Sequence, residues 1–402
     1  MHIVQVANFV TPTSGGQRVA LNTLAKEYIA QGHSCTLVIP GTRYEVSNDG
    51  LRNCVEVPGV PVPFSGGYRA IVTRQKLEKV LSELKPDVVE LSDKTTLSWV
   101  PQWCRFNNIP CVLFSHERAS DVVVDRFATW LPVAATFDRW AQNIQDNVSA
   151  VVCASKYAAQ EYRHMSERVR IIRLGVDHKT FTSSAAIQKQ SSSPVVLYAG
   201  RLSIEKRPYV AIAAIRELQI KGQRIKLLIA GDGPMRKKLE ANAEGLDVTF
   251  LGRISDRNQL AEIMAGVDVV IAPSPYETFG LTILESLACG TPVVVSNNGA
   301  GQELIENGCG EAVESIGTEV AEALLRIMSE DRDVVRQRCT TRAAGYSWHL
   351  AASEMLKLFE SLAAREVIGQ HDEHSNSAYL GIRRSDKKVV LANIDDWQST
   401  FI

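Results

Sequence analysis

Paired cysteines, long apolar runs and a surplus of one charge are all missing from this chain, and each absence removes a class of function. The eight cysteines, at 35, 54, 104, 111, 153, 289, 309 and 339, have no C-x-x-C spacing. Several sit in apolar runs such as Ala150-Val151-Val152-Cys153, so they read as reduced and buried rather than bridged or metal-bound. No segment approaches the roughly 20 apolar residues of a membrane span. The start, Met1-His2-Ile3-Val4-Gln5-Val6-Ala7, has neither the basic head nor the long apolar core of a signal peptide and reads as a first strand. With 44 basic against 45 acidic residues, the net charge of −1 offers no long-range field to nucleic acid. The expectation is a cytoplasmic protein that meets a membrane, if at all, from its surface, with no nucleic-acid partner.

What is present is enough apolar residue, 45% of 402, for two ordinary cores. Short apolar runs alternate with helix-period segments along the whole chain, the pattern of parallel sheets covered by helices. Strands are expected at residues 3–7, 36–39, 88–91, 111–114 and 151–154, and again at 195–199, 226–230, 248–251, 269–272 and 292–296. Each set would make one Rossmann-like sheet, so the fold class is α/β, two Rossmann-like domains facing across a cleft. The expected division is 1–178, a linker at 179–194, 195–349, a helix at 350–365 packing back toward the first domain, and a tail at 366–402. Residues 180–194, rich in Ser, Ala, Gln and Lys, hold too little apolar surface to pack and read as a loop near the hinge. The stretch from Gly369 to Ser377 is polar and without period, and reads as loosely ordered.

The most informative segment runs from Glu277 through Thr278, Phe279, Gly280 and Leu281 to Glu285, then turns at Gly290 and Pro292 into a strand of valines. It sets two carboxylates eight residues apart around the start of an apolar helix. Free backbone N–H groups at Thr278, Phe279 and Gly280 would face an anion, and each acid could hold hydroxyls. An anion beside hydroxyls is the chemistry of a sugar nucleotide. Upstream, Arg201 and Lys206 follow the strand at 195–199, where both could reach a diphosphate. Gly15 and Gly16 lie between the first strand and a helix-period run, so the backbone there can pass close to a phosphate. His116, after the strand at 111–114, is placed to bond a donor hydroxyl or the reacting centre. No cluster of His, Cys and Asp has the spacing of metal ligands.

These residues resemble the E-x7-E and R-x4-K signatures of the retaining glycosyltransferases of family four, which have the GT-B fold. The resemblance covers residues 1 to about 362 and is nearest to bacterial enzymes that add mannose to phosphatidylinositol mannosides, through Val6-Ala7-Asn8-Phe9, Pro63-Phe64-Ser65-Gly66-Gly67-Tyr68-Arg69-Ala70 and Ser115-His116-Glu117-Arg118. It implies an acceptor domain first and a nucleotide-sugar domain second. Gly15, Gly16, Arg201, Lys206, Arg253, Ile254, Glu277, Thr278, Phe279, Gly280, Leu281 and Glu285 would bind the donor, with backbone near Arg253 and Ile254 edging the base. Tyr68, Arg69, Arg18 and His116 would meet the acceptor. The catalytic set would be His116, Arg201, Lys206 and Glu277, with Glu277 on the transferred hexose and Glu285 on the ribose. The implied reaction is transfer of mannose from GDP-mannose, with retention and without a cofactor or metal, to a lipid-linked or glycan acceptor. Arg74, Lys76 and Lys79 on the helix after Arg69 would face anionic lipid at the inner face of the plasma membrane, and Val123, Phe127, Trp130, Ala134, Phe137 and Ala141 form a second candidate stripe. Other readings stand beside this one: a family-four enzyme using a UDP-sugar, a sugar-nucleotide epimerase of the same fold, or an inactive sugar-nucleotide-binding scaffold.

Overall fold

The computed structural model describes residues 1–10, 15–62, 67–116, 144, 146–185, 193–306 and 308–376. The stripe from Val123 to Ala141, the segment Pro63 to Gly66 and everything after Asn376 lie outside the described residues. Residues 1–363 make one compact unit and 364–402 another.

Among the described residues the first unit holds two large sheets and a two-stranded one. In the first, strands β1 (His2–Val6), β2 (Ser34–Gly41), β3 (Glu45–Asn48), β4 (Asn53–Pro58), β7 (Val88–Leu91), β8 (Cys111–Ser115), β9 (Ala150–Cys153) and β10 (Val169–Ile171) lie in the order β10-β9-β8-β7-β1-β2-β4-β3. All pairs are parallel except the β3–β4 edge. A hairpin of β5 (Val60–Pro61) and β6 (Arg69–Ala70) stands apart. The second sheet is all parallel: β11 (Val195–Ala199), β12 (Lys226–Ala230), β13 (Val248–Gly252), β14 (Val269–Ala272), β15 (Val293–Ser296) and β16 (Gly310–Val313), in the order β13-β12-β11-β14-β15-β16. Both orders reverse direction beside the first strand of the sheet, at β1/β7 and β11/β14. Such reversals open a crevice at the carboxyl ends of the strands, where open α/β sheets bind ligands.

The strands expected at 88–91, 195–199, 226–230 and 269–272 are found with those ends. They read clearly because parallel strands covered on both faces are near-continuous apolar runs. Two expectations differ from the structure. Residues 180–194 do contribute to the core, through Phe181 at 1% exposure, with the Arg257 guanidinium 4.7 Å from its ring centre; one aromatic anchors a segment whose average composition is polar. In the second unit, the residues from Ala364 to Asn376 are helical, within the helix Trp348–Asn376, so polarity after Gly369 does not end the helix. Gln, Glu and His are tolerable helix residues, and a single glycine costs only about 1 kcal/mol.

The halves are joined by two passes of chain. At one crossing Gly175 lies so close to the other pass that a Cβ on it would meet the Trp348 backbone nitrogen at 2.1 Å, and Val176 bridges to Ser347. Beyond that crossing the chain returns to the first half. Ala351, Ala352, Met355 and Phe359 are buried, Phe359 packs edge-on against Tyr28 at 5.9 Å, and Ser353 donates to Gln31 at 2.9 Å. Burying Phe359 contributes up to about 3 kcal/mol. Beneath β1 the first half also encloses charge. Arg52, at 3% exposure, donates to the side chains of Gln5 and of Asn22, the latter at 2.6 Å. Glu90 accepts from Gln5 at 3.1 Å and from the Tyr28 hydroxyl at 2.9 Å, and burial pushes its carboxyl up to about 7. Cys54 is half-buried and the other seven cysteines are buried. Among the described residues no helix is long and apolar enough to cross a membrane.

Candidate active site

The crevice of the second sheet is built from the loops after β11 and β14. The Tyr198 hydroxyl donates to the Arg201 carbonyl at 2.9 Å, which fixes the first loop, and Ser274 Oγ donates to the Glu205 carbonyl at 3.0 Å, which ties the second loop to it. The two loops then meet through side chains, with Lys206 Nζ 2.8 Å from Glu277 Oε2. Both are only half-buried, so the pair contributes little to stability. Its value is chemical: a cation and a carboxylate stand side by side where a ligand can reach both.

Gly280 caps the helix Leu281–Ala288 with φ 98°, a left-handed conformation that favours glycine. The helix therefore begins at Leu281, and the amides it cannot satisfy are those of the cap Gly280 and of Leu281, Thr282 and Ile283. Gly280 belongs both to this set and to the expected set of Thr278, Phe279 and Gly280. Around the helix start, Phe279 is buried against Tyr346, with ring centres 6.3 Å apart, and Thr278 is held by the first half of the chain.

Glu285 lies four residues into that helix at 4% exposure, and Arg257 NH2 reaches its Oε1 at 2.7 Å. Burial raises its carboxyl, and Arg257 opposes the rise. Arg257 is a site residue that the motif reading missed. It is the first residue of the helix Arg257–Gly266, where a cation opposes the helix dipole. A cation so placed needs a partner elsewhere, and that was its signal. Arg253 is exposed and Ile254 half-buried on the core, both following β13.

The first half faces this crevice closely. A Cβ on Gly16 would lie 3.5 Å from Leu281 Cδ1, so the Gly15-Gly16 turn abuts the helix start. Arg18 is half-buried in the first turn of the helix Gly16–Ala30. Tyr68 packs against Phe9 at 6.5 Å, and Arg201 approaches its ring from the other half at 6.0 Å. His116 is half-buried, stacked 4.4 Å from Phe114, with Nε2 3.2 Å from Ser92 Oγ. Burial, and then the charge of Lys94, lower its imidazole to about 4, so the ring is neutral near pH 7. Arg69, expected at the acceptor, is half-buried and bound to backbone on one side. Its guanidinium donates to the Gly41 carbonyl at 3.0 Å and to that of Gly59 at 2.6 Å, fastening the β5–β6 hairpin to the sheet. The cations on the helix Arg74–Leu84 are partly spent as well, with Arg74 2.8 Å from Glu78 and Lys79 3.9 Å from Glu83. Among the described residues no group of three or more His, Cys, Asp or Glu side chains is arranged to hold a metal ion.

Two facing Rossmann-like sheets with cations, a carboxylate and a helix start at the crevice define a nucleotide-sugar enzyme of the GT-B kind. Two family models match in succession, Glycosyltransferase Family 4 over residues 14–180 and Glycosyl transferases group 1 over residues 180–345. The chain is 37% identical over 383 residues to a GDP-mannose-dependent α-(1-6)-phosphatidylinositol dimannoside mannosyltransferase of Mycobacterium tuberculosis, covering 92% of this chain and 98% of that protein. It is 26% identical over 321 residues to a GDP-mannose-dependent α-mannosyltransferase of Corynebacterium glutamicum, covering 77% and 75%. Among solved structures, sucrose-phosphate synthase from Thermosynechococcus elongatus superposes with a TM-score of 0.75 at 21% identity, covering 90% of this chain and 99% of that one, a likeness of fold. The chain belongs to glycosyltransferase family four and is a glycosyltransferase of GT-B fold.

Proposed function

We propose that this enzyme transfers mannose from GDP-mannose, with retention, to a phosphatidylinositol mannoside at the cytoplasmic face of a membrane. The observation that carries the reading is identity of 37%, spread over 92% of the chain, with a relative named for that donor and lipid. In this reading the diphosphate lies between Arg201, Lys206 and the amides of the helix Leu281–Ala288. Those groups meet the charge that grows on the leaving phosphate, the electrostatic contribution that usually dominates such catalysis. The Lys206–Glu277 contact, 2.8 Å without donor, would open so that Lys206 turns to phosphate and Glu277 to hexose hydroxyls. Glu285 serves the ribose with its Arg257 partner in place. His116, neutral, offers a hydrogen bond and not a proton sink. No metal ion is required in this account, and chelator should leave the rate unchanged. The epimerase and scaffold readings are not favoured by this kinship.

Incubation with radiolabelled GDP-mannose and phosphatidylinositol dimannoside in vesicles tests the proposal. The expected result is a lipid larger by a single α-linked hexose, with GDP released in equal amount and only when acceptor is present. Faster transfer from a UDP-sugar would overturn the donor assignment.

A further inference from the structure

Glu303 belongs to none of the sequence motifs, yet its carboxylate makes a two-point polar contact from the second half to the first. Its carboxylate accepts from the Lys156 amide at 3.0 Å and the Tyr157 amide at 2.8 Å, at the start of the short helix that follows β9. Charge-assisted bonds of this kind are the strong ones. Beside them, Ser155 Oγ donates to the Thr278 carbonyl at 2.6 Å, and Thr278 Oγ1 donates to the His116 carbonyl at 2.6 Å. The Tyr157 hydroxyl reaches the Pro275 carbonyl at 3.3 Å.

These contacts converge on the loop that carries Glu277. The Ala300 amide, in the turn leading to Glu303, donates to the Glu277 carbonyl at 2.7 Å. Arg342 NH2 braces the Glu303 carbonyl at 2.7 Å, and the Arg342 guanidinium lies 5.3 Å from the Tyr346 ring, which in turn packs on Phe279. Glu303 is thus wired to both sides of the Glu277–Phe279 turn. It also grips the first half just after β9, the strand beside β8, which His116 follows.

We propose that Glu303 is a positioning residue for the transfer reaction: its two bonds to the Lys156 and Tyr157 amides set the closed separation at which Glu277 and His116 share one site. The proposal rests on the glycosyltransferase reading above. Its role is geometric, and a displacement of about 1 Å at a reacting centre can cost about 100-fold in rate.

The test compares wild type with Glu303→Ala, Glu303→Gln and Lys156→Ala by steady-state kinetics, GDP calorimetry and small-angle scattering with and without GDP. For Glu303→Ala, kcat should fall at least about 10-fold, while GDP affinity stays near wild type because the nucleotide sits in the second half, and the GDP-bound radius of gyration should exceed that of wild type. Glu303→Gln keeps one of the two acceptor oxygens and should fall between wild type and Glu303→Ala. Lys156→Ala should match wild type, since only the Lys156 amide is used and its side chain is exposed. Wild-type kcat in Glu303→Ala, or GDP affinity falling in step with kcat, overturns the proposal. A wild-type enzyme inactive with GDP-mannose would count against the donor assignment alone; the scattering comparison would still decide whether Glu303 closes the halves.

Discussion

The two sheets share a strand order around β1 and β11 but bury different chemistry. Among the described residues the second half buries a single charged side chain, Glu285, and otherwise hydroxyls such as Ser286 and Thr291. The first half buries Arg52, Glu90 and Asp93, with Gln5 and Asn8. Asp93 accepts from Asn8 at 2.9 Å, and Asn8 accepts from the Ile71 amide at 2.9 Å, so polar groups there knit the loops after β1 and β7 to the chain ahead of the next helix. The second half keeps its cations and Glu277 at the rim. The first half spends its polar groups on holding its own loops.

That contrast breaks first if Lys206→Ala leaves turnover intact. The expected loss is about 100- to 1,000-fold in kcat/KM, with thermal stability unchanged because the Lys206–Glu277 pair is half-exposed. Next, Arg52→Ala should reverse the pattern, costing about 3 kcal/mol of stability through stranded partners while the folded fraction keeps its GDP affinity. Urea unfolding against calorimetry checks both halves of that statement, and an undiminished midpoint would contradict it.

The pH dependence sharpens the same contrast. Glu90 is raised from an ordinary 4.5 to about 7. Between those values the folded state holds the proton that the unfolded state has released, so stability from this group falls as pH rises through the window. Glu90→Gln should remove that slope and at pH 8 be more stable than wild type by an amount on the order of 1–3 kcal/mol. The sign is opposite for His116, lowered to about 4: its contribution falls as pH drops from its ordinary 6.5 toward 4. Denaturation of wild type and Glu90→Gln across pH 5 to 8, compared as a difference, isolates Glu90; parallel curves would refute the assignment. The smallest effect belongs to Lys76→Ala with Lys79→Ala. Each cation near anionic lipid is worth at most about 1 kcal/mol, and Lys79 already faces Glu83. Liposome flotation should change only slightly, and complete loss of vesicle binding would restore that helix as the membrane face.

Legibility followed burial. The central strands were readable because runs such as Leu227 to Ala230 are covered by helices on both faces. The edge strand β3, Glu45-Val46-Ser47-Asn48, is exposed throughout, and its neighbour β4 is only partly buried, so neither carries such a signal. Strands β10 and β16 were missed as short, partly exposed pieces at the sheet edges. At the site, the family signature located Glu277, Lys206 and the helix start, since chemistry fixes their spacing along the chain. Arg257 and Glu303 escaped because their partners, Glu285 and the amides after Ser155, are distant in sequence and brought near only by folding. The structural bonds of Arg69 were hidden for the same reason: nothing local announces that two carbonyls, Gly41 and Gly59, will accept from its guanidinium.

A crystal grown with GDP-mannose measures the central claim most directly. The account predicts the diphosphate within hydrogen-bond reach of Arg201, Lys206 and the amides of Leu281 to Ile283, with the mannose hydroxyls on Glu277 and the Lys206–Glu277 contact opened. Density for the nucleotide against the first sheet, or a diphosphate remote from both cations, would contradict it.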